Sequence, residues 1–263
     1  MSQHTGRAAL ARHAAVAGGD VAVDLFRTGV AVERKSEKTD VVTEADRAAQ
    51  RRVAELLAEE HPDETLVGEE EDALKEIPDG TAWVVDPIDG TNNYVRELPT
   101  WATAVACVVD GEPVAAANAL PALGDVYTAD GDAAYRNGHE IAVTETTDPE
   151  QAVVVPTVWW SRGRRDEYGR ACEAIVQRFA DLRRPGSAQA ALAELAAGSV
   201  EGVVTNVETN PWDTVAGVHL VRQAGGRVTD IEGNRWRHDS RGLVASNGHL
   251  HDEVLAAAQA IDG

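Results

Sequence analysis

Hydrophobic positions recur along this chain with two periods, and the switches between them divide it into elements. Over residues 7–26, Ala, Val and Leu fall at helical spacing, and Gly29 marks the end of the run. Residues 30–34 alternate as a strand does. Residues 43–60 predict a second helix, with Ala45, Ala49, Val53, Leu56 and Leu57 on one face and Pro62 as its stop. Short strands follow at 65–67 and 83–86. Residues 102–135 read as several strands separated by Asp110-Gly111, Leu123-Gly124 and Asp130-Gly131 turns. Beyond Asn137-Gly138 the texture changes to strands at 153–157, 203–204 and 242–245 and helices at 166–179, 187–197, 211–224 and 249–261. The pattern predicts sheets layered with helices in two halves, residues 1–137 and 138–263, that share a cleft.

Composition narrows the class. The chain has 263 residues, 43% hydrophobic and 26% charged, as a globular protein has. Its longest apolar runs, 102–109 and 114–119, fall far short of the ~18 residues that span a bilayer. The first residues lack a basic patch, apolar core and cleavage site, so no signal peptide and a cytoplasmic location are expected. Cys107 and Cys172 are too few for a disulfide framework or a zinc site and read as small buried apolar groups. None of the eight histidines has metal-ligand spacing. His249 and His251 flank a helix start and read as surface or capping residues, and Trp159-Trp160 as core packing.

Charge adds a further constraint. Against 44 Asp and Glu stand 24 basic residues, a net charge of −20, and only Lys35, Lys38 and Lys75 among the basic residues are not arginine. Such a surface suits a high-salt medium, and its field repels nucleic acid and anionic membranes. The expected partner is a small molecule. A phosphate would need some device that reverses the charge locally.

The chemistry concentrates in Trp83-Val84-Val85-Asp86-Pro87-Ile88-Asp89-Gly90-Thr91-Asn92-Asn93. An apolar strand ends in two carboxylates three residues apart, with Pro87 stiffening the bend. Asp86, Asp89 and the carbonyl of Ile88 can point at one spot as hard oxygen ligands for Mg²⁺. Gly90, Thr91 and Asn92 then open a helical turn whose free N–H groups suit an anion. The Asp-Pro-Ile-Asp spacing differs from the one-residue gap of the haloacid dehalogenase phosphatases. Three other acidic sites accompany it: Gly68-Glu69-Glu70 after a strand, Asn210-Pro211-Trp212-Asp213 at a helix start, and Asp46 in a Thr43-Glu44-Ala45-Asp46 capping pattern. Taken singly, each also fits a solvated loop or a helix cap. Gly186-Ser187-Ala188, after Arg183-Arg184, starts another helix that could present donors to a phosphate.

These blocks, with Lys35 to Asp46, Trp212 to Gly217 and the Tyr135-Arg136-Asn137-Gly138 turn, resemble the inositol monophosphatase family of Mg²⁺-dependent, lithium-sensitive phosphatases. The resemblance spans the whole chain. It implies an αβαβα five-layer sandwich, commonly a homodimer, with two to three Mg²⁺ per site. By position, Glu69, Asp86 and the Ile88 carbonyl would hold a first ion, and Asp86, Asp89 and Asp213 a second. Thr91 and Asp46 would activate the attacking water, with Glu69 serving a third ion. The Gly90 and Thr91 backbone would cradle phosphate, Asp213 would lie near the leaving group, and Lys35 matches a basic position. Family members act on inositol monophosphates, fructose 1,6-bisphosphate, histidinol phosphate, adenosine bisphosphates or NADP. Inositol-selective members carry an acid seven residues before the helix-opening Asp. That position here is Asn206, with Glu208 two residues later, so Asn206 is the expected reader of a substrate hydroxyl. Fructose 1,6-bisphosphatase activity and a non-catalytic, polyanion-binding relative are the alternatives.

Overall fold

Alternation along the strands decides what each face of the larger sheet covers. On β4 (Thr81–Asp89), Trp83 and Val85 join Val105 and Cys107 of β5 (Ala102–Val109) and Ala115, Ala117 and Ala119 of β6 (Glu112–Leu120). That face packs on α1 (Gln3–Leu25) and α2 (Glu44–Glu60). Val84, Ala104 and Ala106 point the other way, onto α5 (Ala188–Ala196) and α6 (Pro211–Gln223). The computed structural model describes residues 3–28, 32–34, 41–70, 73–158 and 160–263. Gly29, Val30, the run from Lys35 to Asp40, Glu71, Asp72 and Trp159 lie outside the described residues.

Seven strands form the larger sheet, in the order β3-β4-β5-β6-β7-β8-β9. β3 (Thr65–Gly68) runs parallel to β4, and β7 (Asp125–Ala129), β8 (Ala134–Arg136) and β9 (His139–Ile141) continue as an antiparallel meander. The second sheet has the order β11-β10-β12-β14-β13. It consists of β10 (Val153–Pro156), β11 (Asp181–Leu182), β12 (Gly202–Glu208), β13 (Arg227–Thr229) and β14 (Arg241–Ser246). One face meets α5 and α6 through Val155, Val203 and Leu243. The other is covered by α4 (Arg165–Val176) and α7 (His251–Gln259). The layers are therefore helix, sheet, helix, sheet, helix, as the resemblance implied. β1 (Val32–Arg34) and β2 (Val41–Thr43) form a separate antiparallel pair.

The middle layer explains the small residues of α5. Sandwiched between two sheets, its Ala190, Ala191, Ala193 and Ala196 are all buried, as expected of a helix with apolar contacts all round. At Gly217 on α6 a Cβ would lie 2.5 Å from the Cβ of Leu192, so these helices approach as closely as they do because the position has no side chain.

The structure differs from the sequence reading at definable points. β4 extends through Pro87 to Asp89 rather than ending at Asp86. The Asn137-Gly138 turn joins two strands of one sheet, β8 and β9, so the change of sheet comes after Ile141. β9, β11 and β13 have two or three residues each, too few to show a period. His251 is fully buried rather than superficial: Nδ1 meets Ser246 Oγ at 2.8 Å and Nε2 meets Thr229 Oγ1 at 3.0 Å. Trp160 is buried as expected.

Candidate active site

Two aspartates three residues apart on a regular strand would point to opposite faces. Here the β4–β5 ladder pairs Asp86 with Ala104 and Asp89 with Ala102, so three steps on β4 oppose two on β5. This bulge brings both carboxylates to the same side. Thr103 Oγ1 anchors it by donating to the Pro87 carbonyl at 2.7 Å. Beyond the bulge Gly90 takes φ 94°, a conformation suited to glycine, and starts the short helix α3 (Thr91–Val95). An aromatic cluster of Phe26, Tyr94 and Trp101 sits under this turn around Ile88.

The middle helical layer supplies the third carboxylate. Asp213, at the third position of α6, accepts from the Asn210 backbone N–H and its side-chain Nδ2, both at 3.2 Å. Among the described residues, Asp86, Asp89 and Asp213 offer carboxylate oxygens that all lie within 4.8 Å of one another. Glu69 lines the same cleft. Its loop is held from behind: Gln50 on α2 accepts from Glu70 N–H at 2.9 Å and donates back to the Glu70 carbonyl. Lys75 donates to the Gly68 and Glu69 carbonyls at 2.8 and 2.9 Å.

The electrostatics of this cluster are those of a cation site. Burial, followed by the charges of Glu69, Asp89, Asp213 and Asp46, holds Asp86 well above the usual carboxylate range. Burial pushes Asp89 up to about 6, against the opposing pull of Ser187 and Gln189. Burial and the Asp89 charge push Asp213 up to about 7. Asp86 Oδ1 is buried without any hydrogen-bond partner, a costly state for a carboxylate oxygen. A hard divalent cation is the ligand that satisfies it, and a set of carboxylates with a carbonyl is the donor chemistry that Mg²⁺ prefers.

Thr91 and Asp46 meet beside this cluster. Thr91 Oγ1 lies 3.2 Å from Asp46 Oδ1 and 3.0 Å from the Ile88 carbonyl, so its single proton is donated to one or the other of these oxygens. Gly90, Thr91 and Asn92 line the cleft, as do Gly186, Ser187 and Ala188. The α5 start, however, is occupied by Asp89 itself. Ser187 Oγ donates to Asp89 Oδ2 at 2.5 Å, Gln189 N–H donates to the same oxygen at 2.6 Å, and the Ala188 N–H also supports that carboxylate. The donors read as a phosphate site thus stabilise a protein carboxylate. Asn206 departs further from its expected place. It is fully buried; Oδ1 accepts from Trp160 Nε1 at 2.7 Å and Nδ2 donates to Glu167 and Asp262 at 2.6 and 2.7 Å. It does not line the cleft; Glu208, beyond an irregularity in the β12–β14 register, does.

Two supporting residues escape a reading of the sequence. Asn93 Nδ2 donates to the Thr100 and Pro185 carbonyls, both at 2.6 Å, and staples the α3 turn to the α5 loop. A Cβ on Gly186 would lie 2.9 Å from its Oδ1, so Gly186 serves this close approach. Gln189 is fully buried and links four groups. Its backbone N–H holds Asp89, Nε2 donates to the Trp212 carbonyl at 2.6 Å, and Oε1 accepts from Gly217 N–H at 2.8 Å and Asn118 Nδ2 at 2.9 Å. Its only sequence signal is a polar residue inside an alanine-rich helix.

Comparison with known proteins agrees with this architecture. A fructose-1,6-bisphosphatase/inositol-1-monophosphatase of Thermotoga maritima is 37% identical over 226 residues, covering 85% of this chain and 84% of the relative. The Nus factor SuhB of Escherichia coli is 30% identical over 94% of this chain and 93% of its own. The solved structure of the Thermotoga maritima IMPase TM1415 superposes with a TM-score of 0.87 at 33% identity, covering 100% of this chain and 98% of that one. The profile of the inositol monophosphatase family matches residues 4–262. With the five layers and the acidic cleft, that match settles descent: the chain belongs to the inositol monophosphatase family.

Proposed function

We propose that the cleft hydrolyses the phosphomonoester of a small polyol or sugar, with Glu69, Asp86, Asp89, Asp213 and the Ile88 carbonyl holding two to three Mg²⁺. The observation that carries this reading is the convergence of three carboxylates, one with an orphaned buried oxygen, beside the Thr91–Asp46 pair. Bound there, the cations would acidify a water, neutralise the phosphoryl oxygens and supply the local charge reversal that this acidic chain requires. The protein's own part is positioning. Thr91, its proton engaged by Asp46 or the Ile88 carbonyl, accepts a hydrogen bond from the attacking water and orients it, and Asp46 is the terminal proton acceptor of that pair. The water oxygen bonds to phosphorus as the ester P–O bond breaks, its proton passes by way of Thr91 to Asp46, and the leaving alkoxide takes a proton from a solvent water on the side where Asp213 stands. Gly90, Thr91 and Asn92 offer backbone N–H groups to the phosphoryl oxygens.

The printed name of the Thermotoga relative supports fructose 1,6-bisphosphate as an alternative to inositol monophosphate, and so does the withdrawal of Asn206 from the cleft. The Escherichia coli relative is named a Nus factor, which keeps a non-catalytic role as the second reading. What favours hydrolysis here is the complete set of Glu69, Asp86, Asp89, Thr91 and Asp213 at the cleft. Inhibition by Li⁺, a homodimeric state and work in a salt-rich cytoplasm belong to the same reading. Among the described residues no helix is long and apolar enough to cross a membrane. Phosphate release from inositol 1-phosphate and fructose 1,6-bisphosphate, with Mg²⁺ and after EDTA, tests the proposal. Activity that EDTA abolishes, Mg²⁺ restores and Asp89→Asn removes is expected; activity indifferent to EDTA would refute it.

A further inference from the structure

The loop that carries Glu69 is pinned at its ends. The chain leaves β3 at Gly68 and returns at Leu74, whose N–H donates to the Leu66 carbonyl at 3.2 Å and whose carbonyl accepts from Gly68 N–H at 3.1 Å. Leu74 thereby makes a parallel bridge to Val67. From the next position the exposed Lys75 donates, through one ammonium, to the Gly68 and Glu69 carbonyls at 2.8 and 2.9 Å. The same ammonium lies 5.5 Å from the centre of the Trp212 ring, within the range of a cation–π contact.

Trp212 is a fixed anchor. It is buried at the second position of α6, its carbonyl accepts from Gln189 Nε2 at 2.6 Å, and Asp213 follows it directly. Lys75 therefore touches two separate elements, the Glu69 loop and the start of α6, and each brings one carboxylate to the cleft. Gln50 holds the neighbouring Glu70 backbone from the α2 side; Lys75 makes the link toward Asp213.

Two features show that its charge alone does not account for this residue. All but three of the 24 basic residues are arginine, so a lysine is an exception in this chain. A compact ammonium with three rotatable donors serves two consecutive carbonyls and a ring face from one atom, whereas a planar guanidinium fork suits paired, parallel acceptors. A positive charge beside Glu69 also opposes any cation that Glu69 would hold. What Lys75 offers the site is the tether.

Resting on the metal-dependent reading above, we infer that Lys75 is a positioning residue: by joining the Glu69 loop to Trp212 it sets Glu69 against Asp213 across the metal cluster.

The test is a calorimetric titration of metal-stripped protein with Mn²⁺ in 1 M KCl, where a Debye length of about 3 Å suppresses long-range charge effects. Lys75→Met keeps most of the side chain's length and removes its charge and donors. It is expected to weaken Mn²⁺ binding roughly 10-fold, the effect of losing a partner that orients a metal ligand. Lys75→Arg, which restores a cation near Trp212, is expected to recover part of that loss. The sign separates the two possible roles, because removal of a merely repulsive charge would tighten binding. Tighter or unchanged binding in Lys75→Met would overturn the inference, whatever happens to its melting temperature. Trp212→Leu is expected to weaken binding less in the Lys75→Met background than in the wild type, and strictly additive losses would exclude the contact with Trp212. A wild-type protein that binds no Mn²⁺ would instead bring down the metal-dependent reading, and this inference with it.

Discussion

Gln189 is the residue on which the relative placement of two aspartates depends. Its backbone holds Asp89, while its side chain fixes the Trp212 carbonyl and the Gly217 N–H on either side of Asp213. Gln189→Leu removes the side-chain bonds to the Trp212 carbonyl, the Gly217 N–H and the Asn118 amide. We expect Mg²⁺ binding, measured by calorimetry, to weaken by roughly 10- to 100-fold, the range for partners that orient metal ligands. Unchanged affinity in a merely less stable protein would make Gln189 a packing residue only. The contrast with Asp86 and Asp89 shows what a sequence discloses. Their spacing about a proline, followed by Gly-Thr-Asn, is local chemistry and points to a site before any fold is known. The destinations of Gln189, Asn206 and Ser187 depend on which distant groups the fold brings to them. For that reason Asn206 reads as a substrate contact and proves to be a support for Trp160, and Ser187 reads as a phosphate donor and proves to hold Asp89.

At the scale of elements, periodicity was informative wherever a helix or strand ran for several residues. α2, the β5–β6 pair, α4 and α6 all fall within a few residues of their expected bounds. The bulge in β4 was not visible, because its extra residue is defined by the partner strand and not by β4 itself. His251 shows the same dependence. It joins α7 to β13 and β14 through Thr229 and Ser246, and burial, reinforced by the nearby Arg227 charge and opposed by Asp252, lowers its pKa from 6.5 to about 4. The folded protein therefore holds this imidazole neutral at pH values where the unfolded chain protonates it. Stability is expected to fall as pH drops below 6.5 and to stop falling on this account below about 4. The slope is at most about 1.4 kcal/mol per pH unit. Denaturant melts of the wild type and His251→Gln across this window check the sign: the variant should lose that part of the slope, and parallel curves would exclude His251 as its source.

At the scale of the whole molecule, two sheets and three helical layers bring Asp86 and Asp89 of β4 together with Asp213 of α6, in a chain whose net charge is −20. Self-repulsion of that size weakens a compact state unless salt screens it, since the Debye length falls from about 30 Å at 0.01 M to about 3 Å at 1 M. The melting temperature is expected to rise as KCl is raised from 0.01 M toward 1 M. A melting temperature independent of salt would show that the acidity has no part in folding stability. The five-layer plan follows from the alternation of elements together with the family resemblance; the distribution of charge within the cleft emerges only once the layers are assembled.

Hydrolysis in this cleft, as proposed, depends on a cation held between Asp86, Asp89 and Asp213. Anomalous diffraction from crystals grown with Mn²⁺ in place of Mg²⁺ tests this most directly. The prediction is a strong peak enclosed by those three carboxylates and lost in Asp89→Asn crystals. Well-ordered carboxylates with no anomalous density between them at saturating Mn²⁺ would contradict it.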